Sequence, residues 1–253
     1  MSQKTKKPIN EVYRPELIRL PKINWLRQNF RWVMKSVIWV IVHLLLKIRV
    51  NGDKYLPEKG PVLMVSNHLG DADGIVGLAV AKVPFDVMGK VELYDIPVLG
   101  RIMEWYGTIW VHRGRPDRRA LRAVFNGLAE GRMIAIAPEG RESVSGALEQ
   151  GTGGAAYIAI KANVPVLPVA VTGTENKRIY RNLKNRKRTQ VTFTIGPPFR
   201  LQQTGELRSD IEKGTHTIMR AIAQMLPPEF QGVYRDTMEK ENDRRQHGKT
   251  TSK

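Results

Sequence analysis

From residue 51 onward the hydrophobic and polar positions fall into short alternating blocks. Apolar runs at residues 62–65, 85–88, 108–111, 133–137, 166–171 and 191–195 have the length and β-branched content of buried strands. Between them, residues 74–82, 98–106, 116–130 and 152–162 carry apolar positions at helical spacing. Strands alternating with helices predict an α/β fold: a mixed, mostly parallel central sheet flanked by helices. Such sheets bind ligands beyond the carboxyl ends of their strands. Three polar clusters fall at such ends: Asn67-His68, His112-Arg113 and Pro138-Glu139-Gly140-Arg141.

The N-terminal fifth has a different pattern. Residues 1–22 are polar and basic, interrupted by Pro8, Pro15 and Pro21, and read as a mobile arm or one draped over the body. Residues 24–50 contain no acid, while Arg27, Arg31, Lys35, Lys47 and Arg49 are spread through them beside Trp25, Phe30, Trp32 and Trp39. The most apolar part, residues 37–46, would cover ~15 Å as a helix, about half of a ~30 Å hydrocarbon core. It therefore predicts an interfacial helix or helical hairpin in one leaflet, monotopic on the cytoplasmic face of the cell membrane; a plain core helix is the competing reading. The chain divides into this element (1–50), an α/β domain (51–232) and a polar tail (233–253). Residues 176–190 hold Lys177, Arg178, Arg181, Lys184, Arg186, Lys187 and Arg188 with no acid, and read as a basic excursion between two strands.

Composition narrows the partners. The 253 residues suffice for a sizeable core, and the absence of cysteine removes disulfides, thiolate metal sites and a cysteine nucleophile. A formal charge of +17 favours an anionic partner, whether membrane surface, nucleic acid, acidic carrier or phosphorylated substrate. No helix-turn-helix, zinc-finger or RNP signature supports nucleic acid, and the aromatics do not interleave with the basic excursion.

The chemistry centres on residues 62–73. The strand run stops at Asn67-His68, and Asp73 follows five residues after the histidine, where a helix pattern begins. On one regular helix, residues five apart point about 140° away from each other. With His68 in the loop, Asp73 in the first helical turn and Asp71 as N-cap, the turn brings imidazole and carboxylate together. Such a carboxylate fixes the ring's tautomer and stabilises it as it accepts a proton. Ser66 precedes His68 but lacks a G-x-S-x-G elbow. Gly151-Thr152-Gly153-Gly154 has no lysine in the P-loop position, so a turn and close helix packing explain it equally well. His43, His112, His216 and His247 show no metal-ligand spacing.

His68 with Asp73, then residues 107–113 ending in His112-Arg113, then Pro138-Glu139-Gly140, then residues 164–169 around Pro168, form an ordered series. It is similar to the four motifs of glycerolipid acyltransferases, with the nearest resemblance to 1-acylglycerol-3-phosphate (lysophosphatidate) acyltransferases. The resemblance implies transfer of a fatty acyl group from acyl-CoA or acyl carrier protein to the sn-2 hydroxyl of lysophosphatidate, giving phosphatidate, without a metal or cofactor. By position it implies His68 as general base with Asp73 as its partner. Asn67, Arg113, Glu139, Gly140, Arg141 and Pro168 would contribute to substrate binding, Arg113 at the acceptor's phosphate. The implied partners are anionic membrane lipids, a lysophospholipid acceptor and the acyl donor, not nucleic acid. Two departures bear on the acceptor: Glu142 stands where the third motif usually has arginine, which comes one residue early as Arg141, and His112 stands where an aspartate is common. Glycerol 3-phosphate, another lysolipid or a glycolipid thus remains open as acceptor.

Overall fold

The protein is described by a computed structural model covering residues 14–112 and 117–239. In chain order the elements are α1 (Trp25–Leu45), β1 (Leu46–Asn51), β2 (Val62–Ser66), α2 (Ala72–Val80), β3 (Asp86–Lys90), α3 (Leu99–Tyr106) and β4 (Ile109–Val111). Then follow α4 (Arg118–Ala129), β5 (Met133–Ile136), α5 (Gly154–Ala162), β6 (Val166–Thr172), α6 (Asn176–Lys184), β7 (Thr189–Ile195) and α7 (Leu207–Ala223). Seven strands form one sheet in the order β1-β7-β6-β2-β5-β3-β4. β7 runs antiparallel to β6 and β1 parallel to β7, so these two are reversed relative to the rest.

β2 occupies the middle and is buried on both faces, which is why it reads as an unbroken apolar run. The side chains of a strand alternate, so Leu63 and Val65 join the core formed with α4, α5 and α7. Val62 and Met64 join the core on the other face, with Val76 and Leu78 of α2 and Val42 of α1. The expected mixed, mostly parallel sheet flanked by helices is the architecture observed.

Three elements differ from the sequence reading. The apolar run expected to stay helical through Leu46 leaves the helix there and becomes β1, an edge strand paired with β7. β1 straddles residue 50, and Lys47 and Arg49 lie exposed along it, charges of the kind that discourage edge-to-edge pairing. The basic excursion contains α6, which buries only Ile179; one apolar anchor among many cations gives too little periodicity to read as a helix. α7 was not anticipated at all. In α4 the first helical residue is Arg118, because Asp117 is the N-cap: its Oδ1 accepts the N–H groups of Arg119 (3.0 Å) and Ala120 (3.1 Å).

The N-terminal arm, where described, drapes over the body, with Leu17 and Ile18 packed beside Val91 and Trp110. α1 is fastened twice. Arg31, 4% exposed, donates from Nη1 to Asp86 Oδ1 at 2.7 Å, with Arg132 on the other carboxylate oxygen at 3.3 Å and the Tyr106 ring against the guanidinium. At its C-terminal end, Arg188 donates to the carbonyls of His43 and Leu46, each at 2.6 Å, satisfying acceptors that a helix end leaves open. Among the described residues, no helix is long and apolar enough to cross a membrane.

Candidate functional site

β2 delivers the site. Beyond Ser66 the chain turns at Asn67, whose buried side chain copies a sheet rung: Oδ1 accepts the N–H of Val171 (2.7 Å) and Nδ2 donates to its carbonyl (2.9 Å). Both amide atoms are thus occupied in holding the turn to β6. His68 follows, its backbone N–H donating to Glu139 Oε1 (3.0 Å) and its carbonyl accepting the N–H of Ser143 (2.7 Å). The ring is thereby fixed from its own backbone.

Asp73 lies in the first turn of α2, as expected, and its Oδ2 meets His68 Nδ1 at 2.8 Å. The same oxygen accepts the N–H groups of Leu69 (2.7 Å) and Gly70 (3.1 Å). Asp71 occupies the N-cap position but its side chain makes no cap bond; Asp73, in the first turn, holds the loop before the helix instead, and the helix dipole favours a carboxylate there. With Nδ1 engaged as a donor to Asp73, Nε2 is the nitrogen available to accept a proton. Asp73 is buried, and its Oδ1 has no hydrogen-bond partner among the described residues.

His68 and Asp73 line a cavity of about 1080 Å³ that also takes in Asn67, Glu139, Gly140 and Arg141. It extends from the carboxyl ends of β2 and β5, at His68 and Glu139, beneath α2 along the sheet to Phe85 and Val87 at the amino end of β3. On the α2 side its wall is apolar, with Met64, Gly77, Val80, Phe85, Val169 and Phe193. Gly77 keeps that wall open: a Cβ there would stand 3.7 Å from Phe85 and 3.8 Å from Phe193, in ordinary contact, whereas a longer side chain would fill the space. The start of α5 forms part of the rim through Thr152, Gly153 and Gly154. Gly151 and Gly153 let this turn approach α7, since a Cβ at either would come within 2.5 Å of Met219 or 2.9 Å of Ile211. That is the packing role for these glycines.

Other expected residues take supporting positions. Glu139 is buried and braces two backbones, accepting the N–H of His68 at Oε1 and of Glu149 at Oε2 (2.8 Å). Burial pushes its carboxyl up, against the N–H groups of Glu149 and His68 and despite the latter's ring nearby. Gly140 has φ +75°, which places the turn after Glu139. Arg141 is exposed and ion-paired with Glu149 at 2.7 Å. Glu142, standing where arginine was expected, accepts from Asn176 Nδ2 (3.1 Å); Asn176 in turn accepts the N–H of Asp71 (3.1 Å). The altered third motif is thereby tied to the starts of α2 and α6. Pro168 sits within the sheet, opposite Val65, and its carbonyl accepts the N–H of Gly196. It does not line the cavity. Arg113 lies outside the described residues.

Sequence reading passed over a second His-x4-Asp pair. His112 is almost fully buried, its Nδ1 3.3 Å from Asp117 Oδ2, while its Nε2 accepts the backbone N–H of Arg14 at 3.3 Å. The spacing repeats that of His68 and Asp73 and was the available signal. Here both ring nitrogens are engaged, so the pair fastens β4 to α4 and to the N-terminal arm.

Residues 47–172 match the acyltransferase family. The chain is 31% identical over 134 residues to a 1-acyl-sn-glycerol-3-phosphate acyltransferase of Borreliella burgdorferi, covering 52% of this chain and 53% of that protein. It is also 31% identical over 127 residues to a lyso-ornithine lipid O-acyltransferase of Pseudomonas aeruginosa, covering 50% and 47%. The chain spans about half the length of these curated relatives. Among solved structures, the 1-acyl-sn-glycerophosphate acyltransferase of Thermotoga maritima shares the fold, with a TM-score of 0.61, 23% identity and coverage of 79% and 80%.

Proposed function

The chain belongs to the acyltransferase family, and on that premise we propose that it transfers a fatty acyl group from an acyl thioester to the sn-2 hydroxyl of lysophosphatidate. The observation that carries this reading is the His68–Asp73 pair at the rim of an apolar cavity. A hydroxyl placed at His68 Nε2 gives up its proton as its oxygen attacks the thioester carbonyl. The new C–O bond forms, the C–S bond breaks, and the imidazolium returns the proton to the leaving thiolate. Asp73 holds the Nδ1–H and stabilises the transient cation. A thioester has a good leaving group, so this route needs no serine nucleophile, metal or cofactor. The apolar wall between α2 and the sheet suits the acyl chain.

The donor is acyl-CoA or an acyl carrier protein. The acid-free, tryptophan-bearing α1 is read as an interfacial element resting on anionic lipids at the cytoplasmic face. A lipid acceptor then reaches the site from the bilayer. A second reading, favoured by Glu142 in the arginine position of the third motif, keeps the reaction and changes the acceptor's head group. Release of free thiol from long-chain acyl-CoA and from acyl carrier protein thioester tests both, using lysophosphatidate and a panel of other lysolipids. Lysophosphatidate-dependent turnover lost in His68→Ala is expected. Preference for a non-phosphate acceptor replaces the first reading with the second, and undiminished turnover in His68→Ala removes the general base.

A further inference from the structure

Large exposed apolar side chains are concentrated on two elements. α1 presents Trp25 (75% exposed), Leu26, Trp32, Val33, Val37, Val40, Ile41 and Leu44. The corner that leads into α3 presents Ile96, Val98 (68% exposed), Leu99, Ile102 and Trp105 (49% exposed). Ile102 and Trp105 are three apart on α3, and Val98, the residue just before the helix, stands four before Ile102; the exposed Arg101 lies alongside.

The two surfaces are joined. The ring of Trp105 stands 6.1 Å from that of Phe30 on α1. Leu26 and Val33 lie four residues before and three after Phe30, on the same side of that helix, so the apolar surface runs without a break from α1 to α3. Trp105 is exposed on this surface; Trp25, Trp32 and Trp39, seven residues apart along α1, are also exposed, on the side of the helix away from Phe30, while Trp110 is buried. Exposed tryptophan beside apolar and basic residues is the composition of a membrane interface.

The corner is built, not slack. Val98 has φ +68° and ψ −56°, the rare and strained form of γ-turn, closed by the Leu99 N–H donating to the Pro97 carbonyl at 2.8 Å. It is held there by N–H groups of Gly100 and Ile102 donating to the carbonyls of Ile96 and Val98. A Cβ at Gly100 would come within 2.1 Å of the Tyr94 carbonyl oxygen, so only glycine closes the turn. Two of the nearby acids are neutralised within the protein: Asp95 pairs with Arg14 at 2.7 Å, and Glu104 with Arg19 at 3.0 Å and the Trp110 N–H at 2.7 Å; Glu92 is exposed. Strain maintained so that an aliphatic side chain faces outward marks a contact surface.

We propose that the corner at residues 96–105 is a second membrane contact, continuous with α1, so that the protein seats on an anionic bilayer through both elements. This rests on the interfacial reading of α1 given above and adds a partner-binding surface within the catalytic domain itself. Two contacts set side by side fix rotation about the α1 axis, which a lone helix leaves free.

The cysteine-free sequence permits a direct test with the full chain. An environment-sensitive fluorophore is placed in turn at Ile102→Cys, at Val33→Cys on α1 and at Glu212→Cys on α7, and each protein is mixed with phosphatidylglycerol–phosphatidylcholine vesicles. Blue-shifted emission quenched by bilayer-embedded quencher lipids is expected at positions 102 and 33 but not 212. A response at 33 alone overturns the proposal and leaves the α1 anchor standing; silence at both removes the anchor reading as well. A protein-concentration-dependent response at 102 without vesicles overturns it in favour of a second copy on this face. In parallel, Val98→Asp with Ile102→Asp should weaken vesicle affinity about tenfold and leave turnover of a short-chain water-soluble acceptor unchanged. Unchanged vesicle affinity in that folded variant also overturns the proposal.

Discussion

Replacing Asp73 with Asn tests the proposed chemistry most directly. The substitution keeps size and shape and removes the charge. An amide oxygen in the Oδ2 position still accepts the N–H groups of Leu69 and Gly70 and the ring Nδ1–H, all of which converge on that atom at 2.7–3.1 Å. The turn and the start of α2 therefore survive, at a cost of about 1–2 kcal/mol, the difference between charged and neutral hydrogen bonds. The effect on turnover is larger, because the imidazolium formed as His68 takes the hydroxyl proton loses its counter-charge. At 2.8 Å, with Asp73 buried, that interaction is worth about 2–4 kcal/mol at the effective dielectric of a partly buried site. This corresponds to a fall in kcat of about 30- to 900-fold. Thiol release measured over a range of acceptor concentrations should show that fall with the acceptor KM little changed, beside a urea midpoint lowered by about 0.5–1 M, as a loss of that size requires. A kcat within about threefold of the parent, with the fold intact, would refute the reasoning and leave Asp73 as the acid that holds the turn before α2 only.

Asp86→Ala strips two buried arginine contacts of their carboxylate and should cost about 3–5 kcal/mol in urea unfolding, since Arg31 is left as an uncompensated buried charge; a loss below about 1 kcal/mol removes the ion pair as a fastening of α1. Gly77→Leu should shift the acyl preference to shorter chains while Gly77→Ala leaves it in place, because a Cβ fits against Phe85 and Phe193 and a longer side chain does not; competition among acyl-CoA chain lengths reads this out. Stability should fall in acid. Burial raises Asp117, but the N–H groups of Ala120 and His112, with the His112 ring and the Arg119 N–H, outweigh it and hold the carboxyl low. The Val144 N–H foremost lowers Glu149, and the Thr204 side chain foremost lowers Asp210. Folded values below unfolded ones mean stabilisation that is present above the ordinary carboxylate range and lost as pH falls through the depressed values. Urea midpoints should therefore decline below about pH 4.5. Glu139, raised by burial, has the opposite sign and loses stabilisation as pH rises through its folded value.

The sequence was most informative where one physical demand dominated. β2 and β6 read as continuous apolar runs because they are buried on both faces, and the His68-to-Asp73 spacing pointed to a loop followed by a first helical turn. It was silent where two demands compete. Leu46 continues the hydrophobicity of α1, yet pairing with Thr189 of β7, a partner 143 residues away in sequence, decides its conformation. In α6, one buried isoleucine carries the helix's packing among cations that mask any periodicity. For Glu139 and Asn67 the family resemblance implies a part in substrate binding, and both line the cavity; their hydrogen bonds to backbone groups of His68, Glu149 and Val171 are a structural role that no local pattern announces.

The two fastenings of α1 have a mechanical consequence. A helix attached at one point is a pivot; attached at Asp86 through Arg31 and at its far end through Arg188, it becomes a rigid spar. Its inclination to the sheet is then a fixed property of the folded chain. Whatever surface α1 comes to rest on, the strands meet that surface at one angle, and the His68 imidazole stands at one height above it.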